Sequence, residues 1–126
     1  MNPFTSSSTI FYVENPLTSQ DFYANLFMIE PKFTSETFVL FELLDGHKLG
    51  FWSKETAVPT PKNVSECMEF GLELPTRAAV DEYYETFNSN GTIIRQPPTE
   101  LDFGYALTVL DPDGYRLRFY CLENQK

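Results

Sequence analysis

The chain has 126 residues, enough for one compact fold with its own core and too few for several unrelated domains. Its formal net charge of −9 argues against a nucleic-acid backbone or an anionic membrane surface as partner. Aromatic side chains are abundant, with 12 Phe, 7 Tyr and 1 Trp, more than a small core needs and in keeping with an aromatic-lined binding site.

Thr9 to Val13 is a β-branched and aromatic run, read as a strand with Thr9, Phe11 and Val13 on one face and Ser8, Ile10 and Tyr12 on the other. Asn15-Pro16 then opens a helix as N-cap and first helical residue. Phe22, Tyr23, Leu26 and Phe27 form its apolar stripe, and Pro31 is expected to end the segment. Thr37 to Leu43 is a second strand, Asp45-Gly46 a tight turn, and His47 to Ser53 a third strand in which Leu49 and Phe51 oppose Lys48, Gly50 and Trp52. Thr56 to Asn63, with Pro59 and Pro61, reads as a linker.

The pattern then begins again. Cys67 to Leu74 alternates, with Phe70, Leu72 and Leu74 opposite Glu69, Gly71 and Glu73. Thr76 caps a second helix whose stripe is Val80, Tyr83, Tyr84 and Phe87, and Gly91 stops it. Thr92 to Ile94 is a short strand that Gln96-Pro97-Pro98 is expected to break. A hairpin closes the chain from Tyr105 to Tyr120, around the turn Asp111-Pro112-Asp113-Gly114. In its outgoing strand Leu117 and Phe119 face a core, and Arg116, Arg118 and Tyr120 face away.

Asp21-Phe22-Tyr23 and Glu82-Tyr83-Tyr84 stand 61 positions apart, and Phe51-Trp52 matches Phe119-Tyr120. The expected fold is α+β: two βαβββ modules forming a curved mixed sheet around a cleft, with the helices on the outer face. The modules span about residues 8–56 and 65–126 of a single domain, with a linker at about 57–64. No apolar run is long enough to span a bilayer and no secretory segment precedes the first strand, so a cytoplasmic protein is expected. Cys67 and Cys121 are then free structural thiols, and the sequons at Asn63 and Asn90 carry no meaning.

Tyr12-Val13, Asp21-Phe22-Tyr23, Gly71 to Pro75 and Asp111-Pro112-Asp113-Gly114-Tyr115, in this order, resemble the vicinal oxygen chelate superfamily of glyoxalases, extradiol dioxygenases, and fosfomycin- and bleomycin-resistance proteins. Asp21-Phe22-Tyr23, Glu30-Pro31, Trp52-Ser53, Leu74-Pro75-Thr76 and Asp111-Pro112-Asp113-Gly114 are similar to its phenazine-resistance group. That resemblance implies a homodimer that binds a drug in clefts built from both subunits.

Enzymes of the superfamily hold a divalent metal from the first and last strands of each module. The corresponding places are Ser8, Gly50, Glu69 and Arg118. Gly50 has no side chain, Ser8 is a poor ligand, and Arg118 has no lone pair, so only Glu69 is left to coordinate and no metal or other cofactor is expected. Asp111 and Asp113 do not make a calcium loop, because Tyr115 and Leu122 stand at the fifth and twelfth loop positions. His47, the only histidine, is read as a surface residue rather than the partner of a cysteine nucleophile. No catalytic residue is assigned, and no phosphate loop is present.

The expected function is sequestration of a planar aromatic small molecule such as a phenazine, without turnover. Trp52 is the stacking residue, and Gly50 leaves room beside it. Tyr12, Tyr105 and Tyr120 add wall, while Arg118 and Glu69 pair with each other or Arg118 anchors a ligand carboxylate. The alternatives are a superfamily enzyme, with a metal on unusual ligands or an acid–base step at Glu69 or Glu73, and a binder of a cationic bleomycin-type drug suited to the negative charge.

Overall fold

A computed structural model describes residues 3, 5–61 and 68–123. The chain divides into two compact units, Met1–Val64 and Ser65–Lys126. The first contains β1 (Ser8–Val13), α1 (Pro16–Phe27), β2 (Phe33–Thr34), β3 (Phe38–Glu42) and β4 (Lys48–Ser53). The second contains β5 (Glu69–Glu73), α2 (Arg77–Asn90), β6 (Ile94–Leu101), β7 (Gly104–Leu110) and β8 (Arg116–Leu122). Their sheets run β1-β4-β3-β2 and β5-β8-β7-β6, each with its first and last strands parallel and the other pairs antiparallel. The α+β fold of two βαβββ modules is therefore present as expected. β2, only two residues long, is the module-one strand that the alternation of the sequence did not reveal.

The helix caps follow from their residues. Asn15 Oδ1 accepts the Leu17 N–H at 3.0 Å, and Thr76 Oγ1 accepts the Ala79 N–H at 3.1 Å, each satisfying a donor that the first turn leaves free. Gly91 closes α2 with φ 83° and its N–H on the Phe87 carbonyl. The end of α1 differs from expectation. The helix stops at Phe27, and Met28 takes up the left-handed conformation at φ 56°. Met28 is 85% exposed, so no core contact draws the helix on towards Pro31.

In each unit one sheet face packs on its helix. Phe11, Val13, Val39, Phe41, Leu49 and Phe51 are buried in the first unit, and Leu107, Val109, Leu117 and Phe119 in the second. Each large side chain so buried stabilises the fold by about 1.5–3 kcal/mol. The centre of each contact is an aromatic trio. Tyr23 stacks on Phe51 at 4.5 Å between centroids and lies 5.6 Å from Phe27. Tyr83 stacks on Phe119 at 4.9 Å and lies 6.1 Å from Phe87. The spatial equivalent of Tyr23 is thus Tyr83, one position away from the 61-residue match. The helix caps, Asn15 and Thr76, keep the spacing of 61, so the one-residue slip lies inside the helices.

β6 corrects a second expectation. The strand continues from Ile94 through Pro97 and Pro98 to Leu101. It is the last strand of its sheet and shifts register between Ile94 and Gln96 and again between Gln96 and Thr99. Proline offers no ladder N–H, which an edge strand with bulges tolerates and a central strand does not. In the closing turn Asp111 is 4% exposed, and its Oδ1 accepts the N–H groups of Asp113 and Tyr115, each at 2.9 Å. Gly114 supplies the positive φ, at 88°. Cys121 is a buried free thiol; Cys67, with the start of its expected strand, lies outside the described residues.

Candidate functional site

The face of each sheet turned away from its helix carries the candidate residues except Tyr105, and the two faces have opposite chemistry. In the first unit Tyr12, Trp52 and Phe38 are register partners across β1, β4 and β3. Trp52 lies 6.2 Å from Tyr12 in a tilted arrangement and 6.2 Å from Phe38 edge-on. Ile10, Gly50 and Leu40 form the next rung. Ile10, Phe38 and Trp52 line an open apolar recess of about 380 Å³. The space expected over Gly50 is already filled: a Cβ there would meet Ile10 Cδ1 at 2.7 Å and Phe38 Cζ at 3.0 Å. The recess lies against Trp52 because these two side chains close over the glycine. Ser8 is exposed in the outer row beside Lys48.

In the second unit Glu69, Arg118 and Tyr120 share the corresponding face. Arg118 donates from Nε to Glu69 Oε2 at 2.8 Å and from Nη2 to Oε1 at 3.0 Å, a two-pronged pair. Hydrogen bonding from Arg118 is the main cause that holds the Glu69 carboxyl below its usual range, against the opposing effect of partial burial. A general base at neutral pH needs the opposite shift, so Glu69 does not suit the acid–base role considered for it. Tyr120 lies over Gly71, whose added Cβ would meet Tyr120 Cε1 at 3.3 Å, and packs edge-on against Phe103 at 6.0 Å.

Tyr105 is not part of this face. It is the register partner of Cys121 and points to the helix side, where its hydroxyl donates to Asp81 Oδ1 at 2.7 Å. That bond pushes the phenol pKa up. Arg77 lies 4.4 Å over the Tyr105 ring and pairs with Glu100 and Glu123. Tyr105 thus helps to clamp the start of α2 to its sheet. Tyr105, Leu107 and Val109 are every second residue of β7, which places all three on the packed face.

The places that hold a metal in superfamily enzymes do not fit one here. Both Glu69 oxygens accept from Arg118, Ser8 offers a neutral hydroxyl, and Gly50 offers nothing. Among the described residues no group of three His, Cys, Asp or Glu side chains could hold a metal ion. His47 is half-buried rather than fully exposed, with Nδ1 3.0 Å from Ser7 Oγ and Nε2 2.8 Å from Thr9 Oγ1. Two hydroxyls therefore occupy its ring nitrogens, and among the described residues no thiol is bonded to it.

The candidate list also missed residues. Ile10 and Phe38 line the aromatic recess, and the face that Phe38 takes follows from its pairing with Trp52 rather than from local alternation. Arg95, Gln96, Thr108, Arg116 and Arg118 line a second recess, of about 300 Å³. Arg116 was placed on the correct face from the alternation, but Arg95 and Thr108 depend on how β6 and β7 pair. A larger open groove of about 530 Å³ runs beside the end of α1, lined by Asp21, Asn25, Met28 and Glu30 among others, and contains none of the candidate residues.

Two four-stranded mixed sheets, each closed by parallel first and last strands and covered by one helix, define a paired βαβββ protein. The chain belongs to the Glyoxalase/Bleomycin resistance protein/Dioxygenase superfamily, whose family model matches residues 6–119. It is 29% identical over 120 residues to the phenazine antibiotic resistance protein EhpR of Enterobacter agglomerans, covering 90% of this chain and 89% of that protein. A protein of Agrobacterium tumefaciens, solved in solution by NMR, superposes with a TM-score of 0.86 at 36% identity, over 96% of this chain and 99% of the other. A glyoxalase-related enzyme from Fulvimarina pelagi shares the fold at a TM-score of 0.78 and 17% identity, over 93% and 87% of the two chains. No helix among the described residues is long and apolar enough to cross a membrane.

Proposed function

We propose that this protein binds a planar aromatic small molecule of the antibiotic type and holds it without turnover, in the cytoplasm and as a homodimer with clefts built from both subunits. The observation that carries this is the aromatic row of Tyr12, Trp52 and Phe38 beside an open apolar recess lined by Ile10, Phe38 and Trp52. Flat rings stack on such walls, and one or two polar groups suffice to orient them. The relative named for phenazine resistance supports the ligand class. The donor chemistry at the metal-ligand places supports binding over metal-assisted turnover.

Trp52 is the only tryptophan, so its fluorescence reports one place. Titration with phenazine-1-carboxylate should quench it saturably, with or without a chelator. Trp52→Ala should weaken binding by about 1–3 kcal/mol, read by calorimetry. Saturation by a bleomycin-type drug and not by the flat ring would replace this ligand class. Turnover that a chelator abolishes would replace binding with catalysis.

A further inference from the structure

We infer that Asn90 is a self-modification site: its side-chain amide is lost by ring closure onto the Gly91 backbone, and Thr92 assists the loss. The inference goes beyond the small-molecule role and does not rest on it, because it concerns the end of α2 and no residue of either recess.

Asn90 is the only asparagine of the chain that is followed by glycine. Asn2 and Asn15 precede proline, which has no N–H to give up. The others precede residues whose side chains crowd the ring that must form. Gly91 leaves its amide nitrogen unshielded, and nothing lies within 4 Å of the place a Cβ would take there. Asn90 and Gly91 are both exposed, so water reaches them.

The fold adds more than the dipeptide. Asn90 Oδ1 accepts the Thr92 N–H at 3.0 Å and the Thr92 hydroxyl at 2.7 Å. Two donors on one amide oxygen draw electron density from its carbon. They also stand where negative charge develops when a nucleophile adds to that carbon, which is how donors stabilise an oxyanion. The nucleophile, the Gly91 nitrogen, is the next residue of the chain. Its N–H is held by the Phe87 carbonyl at the end of α2. The reaction therefore waits on fraying of this last turn, a low-energy opening at a helix end. The Asn90–Thr92 bonds span two residues, are local to the loop, and do not need that turn.

The step balances without an oxidant or reductant. The Gly91 nitrogen gives its proton to water or hydroxide and bonds to Asn90 Cγ. Nδ2 takes up a proton from water, the Cγ–Nδ2 bond breaks, and ammonia leaves a cyclic imide behind. Water then opens the imide at either carbonyl. One opening yields aspartate, and the other yields isoaspartate, whose main chain runs through the former side chain. Either product puts a carboxylate at the end of α2, where the helix dipole is already negative.

The full chain is incubated at neutral and at mildly alkaline pH, digested with trypsin, and its peptides compared by tandem mass spectrometry. Asn90 should gain the mass of an amide-to-acid change before Asn25 or Asn88 does, and sooner at the higher pH. Thr92→Val keeps the branched shape and the N–H and removes only the hydroxyl donor. It should slow the loss by roughly fivefold, the size of one ordinary hydrogen bond at an exposed site. Thr92→Ser should restore most of the rate. In concentrated urea, where the Asn90–Thr92 geometry is lost, wild type and Thr92→Val should react equally fast. Asn25 or Asn88 reacting first, or Asn90 staying intact in the folded protein, would overturn the site. Equal rates for folded wild type and Thr92→Val, or the same slowing in urea, would overturn the part given to Thr92.

Discussion

At the scale of single residues, Glu69 and Arg118 show how one pair governs what a position can do. The carboxylate is held ionised by a two-pronged guanidinium, so its folded-state pKa lies below the ordinary value near 4.5. A depressed pKa contributes stability above the unfolded value and loses it as pH falls through the folded one. Glu69→Gln should therefore destabilise the protein at pH 7, and the difference should shrink as pH falls below the ordinary glutamate range, as denaturant midpoints across that range would show. The effect at neutral pH should stay under about 1 kcal/mol, because the Glu69 side chain is 40% exposed and solvent screens the pair. The pairing of Glu69 with Arg118 was among the alternatives that alternation and superfamily position allowed.

At the scale of elements, the closing hairpin shows where sequence signals are strong. Asp111-Pro112-Asp113-Gly114 specified its turn, since Asp111 bonds the backbone as an Asx residue does and Gly114 takes the positive φ. Helix starts were equally clear at Asn15 and Thr76. The elements that escaped depend on neighbours rather than on local preference. β2 is two residues of edge pairing, and β6 carries two prolines that local rules treat as a break. The start of β7 depends on Gly104, at φ 154°, where an added Cβ would lie 2.0 Å from the Cys121 carbonyl oxygen. That contact is with backbone, so it cannot be relieved by turning a side chain. Gly104→Ala should cost several kcal/mol, about 3 or more, in urea unfolding, or leave the protein unfolded.

At the scale of the whole molecule, one topology is used twice for different purposes. Both units pack a stacked Tyr–Phe pair between helix and sheet, with Tyr23 on Phe51 and Tyr83 on Phe119. Their opposite faces then diverge: aromatic and aliphatic around Trp52, cationic around Arg118. The repeat was readable because packing constrains the buried face in both halves. The other face offered a candidate only where a residue is rare, as with the single Trp. The arginine recess needed the register of β6 on β7, which no local pattern encodes.

The prolines of β6 have a consequence for how copies of the chain behave in a crowded solution. A terminal strand with free N–H and C=O groups is a template on which another chain can add a strand and begin to aggregate. β6 is eight residues long, long enough to act as one, but Pro97 and Pro98 remove two donors from its middle and its bulges bend it away from a straight ladder. Pro97→Val together with Pro98→Val should leave the fold in place and shorten the time to turbidity on gentle heating at high concentration. An unchanged aggregation time would show that another surface limits solubility. The interruption that hid this strand in the sequence also leaves its edge a poorer template for a neighbour.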